Sequence, residues 1–253
     1  MPGRGGRRAG AGRKRRSQET VPHVSRPLVD GDHPLHITVR VARGVWNLRS
    51  QRGMRAVKDA LSQEAKRGAL RIVHYSVQGN HLHLIAEAAN RVTLTRRMQG
   101  FGVRFARSVN GMMGRKRGRV TAERYHLHVL RSPREVRNAI RYVLLNHLKH
   151  SAQAGRVGIT VDPFSSGPWF AHWPPTVERV SWSALTGPPP LSQPDSWLLK
   201  TGWRRAGAVV SRRVIAPRRD VQRALDVPPS RIGGSHVGGR STSSAAVPRA
   251  RGG

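Results

Sequence analysis

"LRIVHYSVQGNHLHLIAEA", residues 70–88, decides how this chain folds. Its first half, through Val77, is rich in β-branched residues, which suit a pleated strand. "QGN" at Gln78–Asn80 is turn chemistry, and "HLHLIAEA" at 81–88 reads as the returning strand. Residues two apart on a strand share a face. His81 and His83 therefore project together, while Leu82 and Leu84 point the other way, toward the helices.

Upstream, "HPLHITVRVA" (33–42) alternates Leu35, Ile37, Val39 and Val41 with His36, Thr38 and Arg40, and so predicts another strand with one wetter face. The period then changes. Met54, Val57, Leu61 and Ala65 recur every three or four residues, as on an amphipathic helix, and Gly68 marks its stop. Downstream of the hairpin, Leu94, Met98, Phe101, Phe105, Val109 and Met112 predict a second helix. Gly100 and Gly102 within it signal either a close helix–sheet contact or simple tolerance. "RYHLHVL" (124–130) is a fourth strand candidate. In "SPREVRNAIRYVLLNHLKH" (132–150), Ser132 is an N-cap, Pro133 fits the first helical position and Glu135 completes a capping box. The order strand, helix, strand, strand, helix, strand, helix predicts an α+β fold. It is a ferredoxin-like βαββαβ sandwich, an antiparallel sheet with helices on one face, plus a C-terminal helix bearing Tyr142.

Composition frames the rest. The chain has 253 residues, with 46 Lys plus Arg against 13 Asp plus Glu, a formal net charge of 46 − 13 = +33. A field of that size points to a polyanionic partner, nucleic acid before an anionic membrane. There is no cysteine, which excludes disulfides, thiolate zinc sites and a cysteine nucleophile. It also fits a reducing cytoplasm. No stretch has the length or apolarity of a membrane span or of a secretory signal's core. Four regions are expected: a basic disordered arm (1–30), a catalytic domain (31–152), a Trp/Pro-rich extension packed on the core (153–210) and a disordered basic tail (211–253). Five of the six tryptophans fall in the extension, as gap-fillers or as stacking platforms beside Arg204 and Arg205.

Imidazole binds several divalent first-row ions, so His81 and His83 together make a candidate metal pair with coordination positions left open. Tyr142 and Asn146, four residues apart, share one helix face at the edge of its apolar stripe. A tyrosine hydroxyl, with a resting pKa of about 10, becomes a nucleophile once deprotonated or charge-screened. Asn146 offers a carbonyl oxygen as third ligand. Glu87 shares strand parity with the histidines and is a candidate to orient one of them, or else a surface charge. A second "HLH", His126 and His128, competes as the metal pair or lines the site. Arg96, Arg97 and Arg104, the loop carrying Arg115, Lys116 and Arg117, and Arg124 are candidates to hold a DNA backbone. The bland alternatives are solvated surface arginines, a wet core-edge tyrosine and an ordinary helix-terminal asparagine.

"GNHLHLIAEA", "RYHLHVL" and "RYVLLNHLKH", in that order and spacing, resemble the HUH single-strand transposases. These are the insertion-sequence-200-like, single-tyrosine enzymes, and the branch resembled is that of the REP-associated tyrosine transposases. The resemblance spans about His33 to His150. It implies His81, His83 and Asn146 around a divalent ion, Mg²⁺ or Mn²⁺, and Tyr142 as nucleophile toward single-stranded or hairpin DNA. It further implies a 5′-phosphotyrosine intermediate, no nucleotide cofactor, a cytoplasmic, nucleoid-associated location and a candidate homodimer in which the tyrosine helix serves a partner. Many relatives have proline after the polar amide, whereas His147 stands here, which lets the helix run on. A non-catalytic nucleic-acid-binding protein on the same fold is the alternative from another class. A replication-initiator or relaxase nuclease is a third reading, without the longer histidine motif such enzymes carry.

Overall fold

The computed structural model describes residues 27–153, 161–175, 177 and 190–210. Most of the basic arm, all of the basic tail and Trp182 lie outside the described residues. The described residues belong to one compact unit, Met1–Ala216.

Four strands, β1 (Leu35–Arg40), β2 (Arg71–Val77), β3 (His81–Glu87) and β4 (His126–Val129), form one sheet in the order β2-β3-β1-β4. Every neighbouring pair is antiparallel. The helix between β1 and β2 carries the chain across the sheet, so β2 runs parallel to β1 but not beside it. The hairpin partner β3 fills the gap, the split βαβ arrangement of a ferredoxin-like fold.

Helices α1 (Gln51–Ala65) and α2 (Arg91–Met112) cover one face. Their apolar stripes, including Val57, Leu61, Phe101 and Phe105, pack with Leu35, Ile37, Val39, Leu82 and Leu84 in the main core. Ser50 caps α1, its Oγ accepting from Gly53 N at 3.0 Å. The helix gives way two residues before Gly68, whose φ of 71° is the left-handed geometry glycine supplies at a helix stop. The glycines of α2 are not sheet contacts. A Cβ on Gly100 would meet the Arg104 guanidinium at 3.1 Å, and one on Gly102 would meet nothing within 4 Å.

Helix α3 (Pro133–Gln153) packs on the opposite face, over β2 and β3. Its capping box is formed reciprocally: Ser132 N donates to Glu135 at 3.0 Å and Glu135 N to Ser132 Oγ at 3.2 Å. Val136, Ile140, Val143 and Leu144 make a second core with Val73 and Ile85 of the sheet. Val73 reaches this face because β2 shifts register between Ile72 and His74. The helix continues past His147 to Gln153. Trp173 and Trp203 of the extension are buried in this second core, with Leu198 and Leu199 of the short helix α4 (Trp197–Lys200). Trp197 is exposed, with Arg205 stacked 5.1 Å from its ring centre.

Candidate functional site

Strand parity places His36 and Thr38 of β1 on the same sheet face as His81 and His83 of β3. The ladder sets Thr38 directly opposite His83, and His128 and His126 opposite His36 and Thr38 on the other side. This is the face that α3 crosses. His83 is the buried centre of the group, 4% exposed. Its Nδ1 lies 3.1 Å from Thr38 Oγ1 and 3.3 Å from His36 Nε2. Its Nε2 is buried with no hydrogen-bond partner.

Around His83 stand three further rings. His81 is 4.6 Å away and nearly perpendicular, at 86°, and its Nδ1 is 2.7 Å from Asn80 Oδ1. Tyr142 meets His83 edge-on at 5.0 Å and His36 at 5.7 Å. The tyrosine is 36% exposed, so a ring supported by two imidazoles keeps part of its surface open to solvent. It lies against the His83 of its own chain. Asn146, one turn further on, is buried at 6% exposure.

Burial decides the charge of these imidazoles. Desolvation, and then the nearness of His81 and His36, pushes His83 down to about 3. His36 is pushed down to about 4, first by desolvation and then by His128. Both are therefore neutral near pH 7, the form in which a ring nitrogen has a lone pair to give.

A buried imidazole nitrogen with no partner, beside a second histidine and a solvent-facing tyrosine, fits a divalent cation. Among the described residues no three His, Cys, Asp or Glu side chains converge on a metal position. A coordination sphere built on His81 and His83 therefore draws on a different oxygen. An amide oxygen, water or a substrate phosphate is the kind of donor such a site takes. Imidazole with amide oxygen suits Mn²⁺ better than Mg²⁺, which prefers oxygen throughout.

Other sequence candidates go elsewhere. Glu87 does not serve the histidines: its two carboxylate oxygens accept from Asp195 N at 2.7 Å and Ser196 N at 2.8 Å, seating the start of α4. Arg97 and Arg104 are likewise corrected. Both reach the fully buried Glu64 of α1, Arg97 Nε at 2.7 Å and Arg104 through Nη2, and so tie α2 to α1. Both are drawn into the helical layer, where they share the one carboxylate. Arg96 is exposed on α2, which covers the sheet face away from the histidines. Lys116, Arg117 and Arg124 are exposed, whereas Arg115 is half-buried. His126 and His128 are exposed on the edge strand, with His128 Nε2 3.7 Å from Glu135.

Sequence reasoning missed two groups. His36 and Thr38 were visible only as the wet side of β1, and the strand pairing is what brings them to His83. The other group is a brace. Asp162, 1% exposed, accepts from Arg49 Nη1 at 2.8 Å and Nη2 at 2.9 Å, while Arg49 Nη1 also donates to Val77 O at 2.9 Å. His147 Nδ1 lies 3.9 Å from the same carboxylate. The brace thus links the end of β2, just before the turn that leads to His81, with the residue beside Asn146 on α3.

No family profile matches the chain, and no curated protein matches it. Among solved structures, one similar to it is described as "Structure of the REP associates tyrosine transposase bound to a REP hairpin". The TM-score is 0.45 and the identity 16%, over 58% of this chain and 82% of that one.

Proposed function

We propose that this protein is a metal-dependent transposase that cuts and rejoins single-stranded DNA through Tyr142, in the manner of the HUH single-tyrosine enzymes its motifs resemble. The observation that carries the reading is the contact between Tyr142 and His83. A part-exposed phenol lies edge-on against a buried imidazole whose Nε2 has no partner. The net charge of +33 supplies the attraction for a phosphate backbone.

In this reading His81, His83 and Asn146 hold Mg²⁺ or Mn²⁺, which when bound polarises the scissile phosphate and offsets charge in the transition state. Tyr142 Oη gives up its proton to solvent and attacks phosphorus. One P–O bond forms to the tyrosine, the bond to the 3′ oxygen breaks, and that oxygen leaves with its electron pair and takes a proton from solvent. The 5′-phosphotyrosine conserves the bond energy, and attack by a new 3′-hydroxyl reverses the step to rejoin strands. His36 and His83 both meet the tyrosine ring edge-on and would orient it. In this reading the exposed Lys116, Arg117 and Arg124 contact the DNA backbone, which carries affinity rather than sequence information. The site of action is the cell's DNA.

The test is a covalent adduct between the full chain and labelled hairpin DNA in Mn²⁺, read on a denaturing gel. Wild type is expected to give the adduct, Tyr142→Phe none, and chelator is expected to abolish it. An adduct that survives Tyr142→Phe would remove this residue as nucleophile. DNA binding with no adduct on any hairpin would leave the charge, and the non-catalytic binding protein, as the better account.

A further inference from the structure

We propose that Thr38 and His36, both on β1, set the tautomer of His83 and so select Nε2 as the nitrogen it offers to a cation. The inference rests on the metal reading above and adds to it two positioning residues, 45 and 47 residues away in sequence.

A neutral imidazole carries one proton, on one nitrogen or the other. At His83 the two nitrogens have different surroundings. Nδ1 faces the Thr38 hydroxyl at 3.1 Å and His36 Nε2 at 3.3 Å. Nε2 is buried and faces no acceptor. A proton on Nε2 would be a buried donor with nothing to receive it, an arrangement folded proteins avoid. A proton on Nδ1 can be donated to Thr38 Oγ1, with His36 Nε2 as the second acceptor within reach. The Nε2 lone pair is then left over, as a ligand needs. Histidines that bind metals generally donate their other N–H in this way, and the partner fixes both tautomer and ring orientation.

The fold makes the arrangement rigid. Thr38 is the direct cross-strand partner of His83, on the central strand β1. A β-branched side chain there has few χ1 choices. His36 lies on the diagonal of the same ladder, as the partner of Ile85. Its ring sits 5.3 Å from that of His83, and it also touches Tyr142. β1 therefore reaches the proposed ligand His83 and the proposed nucleophile Tyr142 at once.

The experiment uses the full chain without DNA and compares wild type, Thr38→Val and Thr38→Ser. Valine keeps the shape and removes the acceptor, and serine keeps the acceptor. Long-range ¹H–¹⁵N correlation spectra of the metal-free proteins read the His83 tautomer, with assignment by His83→Gln. Calorimetric titration with Mn²⁺ reads affinity, and circular dichroism checks that each variant is folded. Wild type and Thr38→Ser are expected to carry the proton on Nδ1, with Nε2 populated in Thr38→Val. Mn²⁺ is expected to bind roughly 10- to 100-fold more weakly to Thr38→Val and to be largely restored in Thr38→Ser. His36→Phe, which removes only the second acceptor, is expected to give a smaller loss. An Nε2–H tautomer in wild type overturns the proposal, as does unchanged Mn²⁺ affinity in Thr38→Val. Absence of Mn²⁺ binding by wild type overturns the ligand half and the metal reading together. The metal-free spectra then still decide whether β1 sets the tautomer. Loss of DNA adduct with tautomer and Mn²⁺ affinity as expected would count against the proposed activity and leave this inference standing.

Discussion

Successive residues of the same strands build two unlike surfaces. Toward α1 and α2 the sheet presents Leu35, Ile37 and Val39 from β1 and Leu82 and Leu84 from β3, all buried among apolar neighbours. Toward α3 it presents His36 and Thr38, then His81 and His83, with His126 and His128 on the edge. Ile85 and Val73 anchor α3 on part of that face and leave the histidines beside Tyr142. The first surface is filled for stability. The second gives up apolar area for imidazoles; burial keeps His36 and His83 neutral, and His83 has a nitrogen that satisfies nothing in the protein. A surface of that kind is explained better by a ligand than by packing.

The sharpest way to break the comparison is to cut each face at adjacent positions. Leu84→Ala opens a cavity in the main core and is expected to destabilise the protein by about 3 kcal/mol. His83→Ala, one residue earlier, is expected to cost about 1 kcal/mol or less, because it also removes a polar atom that had no partner. The order reverses for function. His83→Ala should abolish Mn²⁺-dependent adduct formation, and Leu84→Ala should retain it at temperatures where it is folded. Urea unfolding and the adduct gel on the same two preparations check this. Equal destabilisation by the two would make the histidine face ordinary core.

Acid should also tell the faces apart. His36, His74 and His83 are held at about 4, 4 and 3, in each case chiefly by burial. In the unfolded chain each titrates near 6.5. The unfolded state therefore binds more protons between about pH 6.5 and 4. The stability these neutral histidines carry is full above that window and is lost as pH falls through it. The slope is at most about 1.4 kcal/mol per pH unit for each histidine. Neither α1 nor α2 contains a histidine, so the loss belongs to the α3 side. Melting temperatures measured from pH 7.5 to 4.5 should fall, and less steeply in His74→Asn, since His74 is half-buried against Ser166 and Phe170 of the extension. A flat profile for wild type would mean the face opens to water before it titrates.

How much of this could be read from the chain follows from the range of each interaction. Parity is local, so the opposition of Leu82 and Leu84 to His81 and His83 was legible in four residues. The capping box at Ser132 and Glu135 and the order of elements were legible for the same reason. Register is not local. Nothing within β1 says that Thr38 will stand opposite His83, because that depends on β3 inserting between β1 and β2. The same limit misassigned Arg97 and Arg104. They look like free cations until α1 brings Glu64 to them, although one signal was present: Glu64 follows Val57 and Leu61 on the apolar stripe of α1, where an unpaired carboxylate would not be tolerated. The Arg49–Asp162 brace joins residues 113 apart and left no local trace.

Glu87 gives the smallest effect and the finest discrimination. Parity puts it on the histidine face, which is why it was a candidate to orient a ligand. Its carboxylate instead accepts from the backbone of Asp195 and Ser196, and Arg71 Nε is 4.0 Å away. Glu87→Gln keeps the shape and one acceptor oxygen and removes the charge that strengthens both bonds, so a loss of about 1 kcal/mol is expected. Because α4 is only four residues long, the loss should appear locally, as faster amide exchange at Asp195 and Ser196 and faster tryptic cleavage after Lys200. Mn²⁺ affinity should not move. If affinity falls while the extension stays protected, then Glu87 reaches the histidines after all, and the α3 face extends one strand position further than its hydrogen bonds indicate. If the extension loosens alone, the face divides at Ile85: residues before it serve the site, and Glu87 beyond it serves the fold.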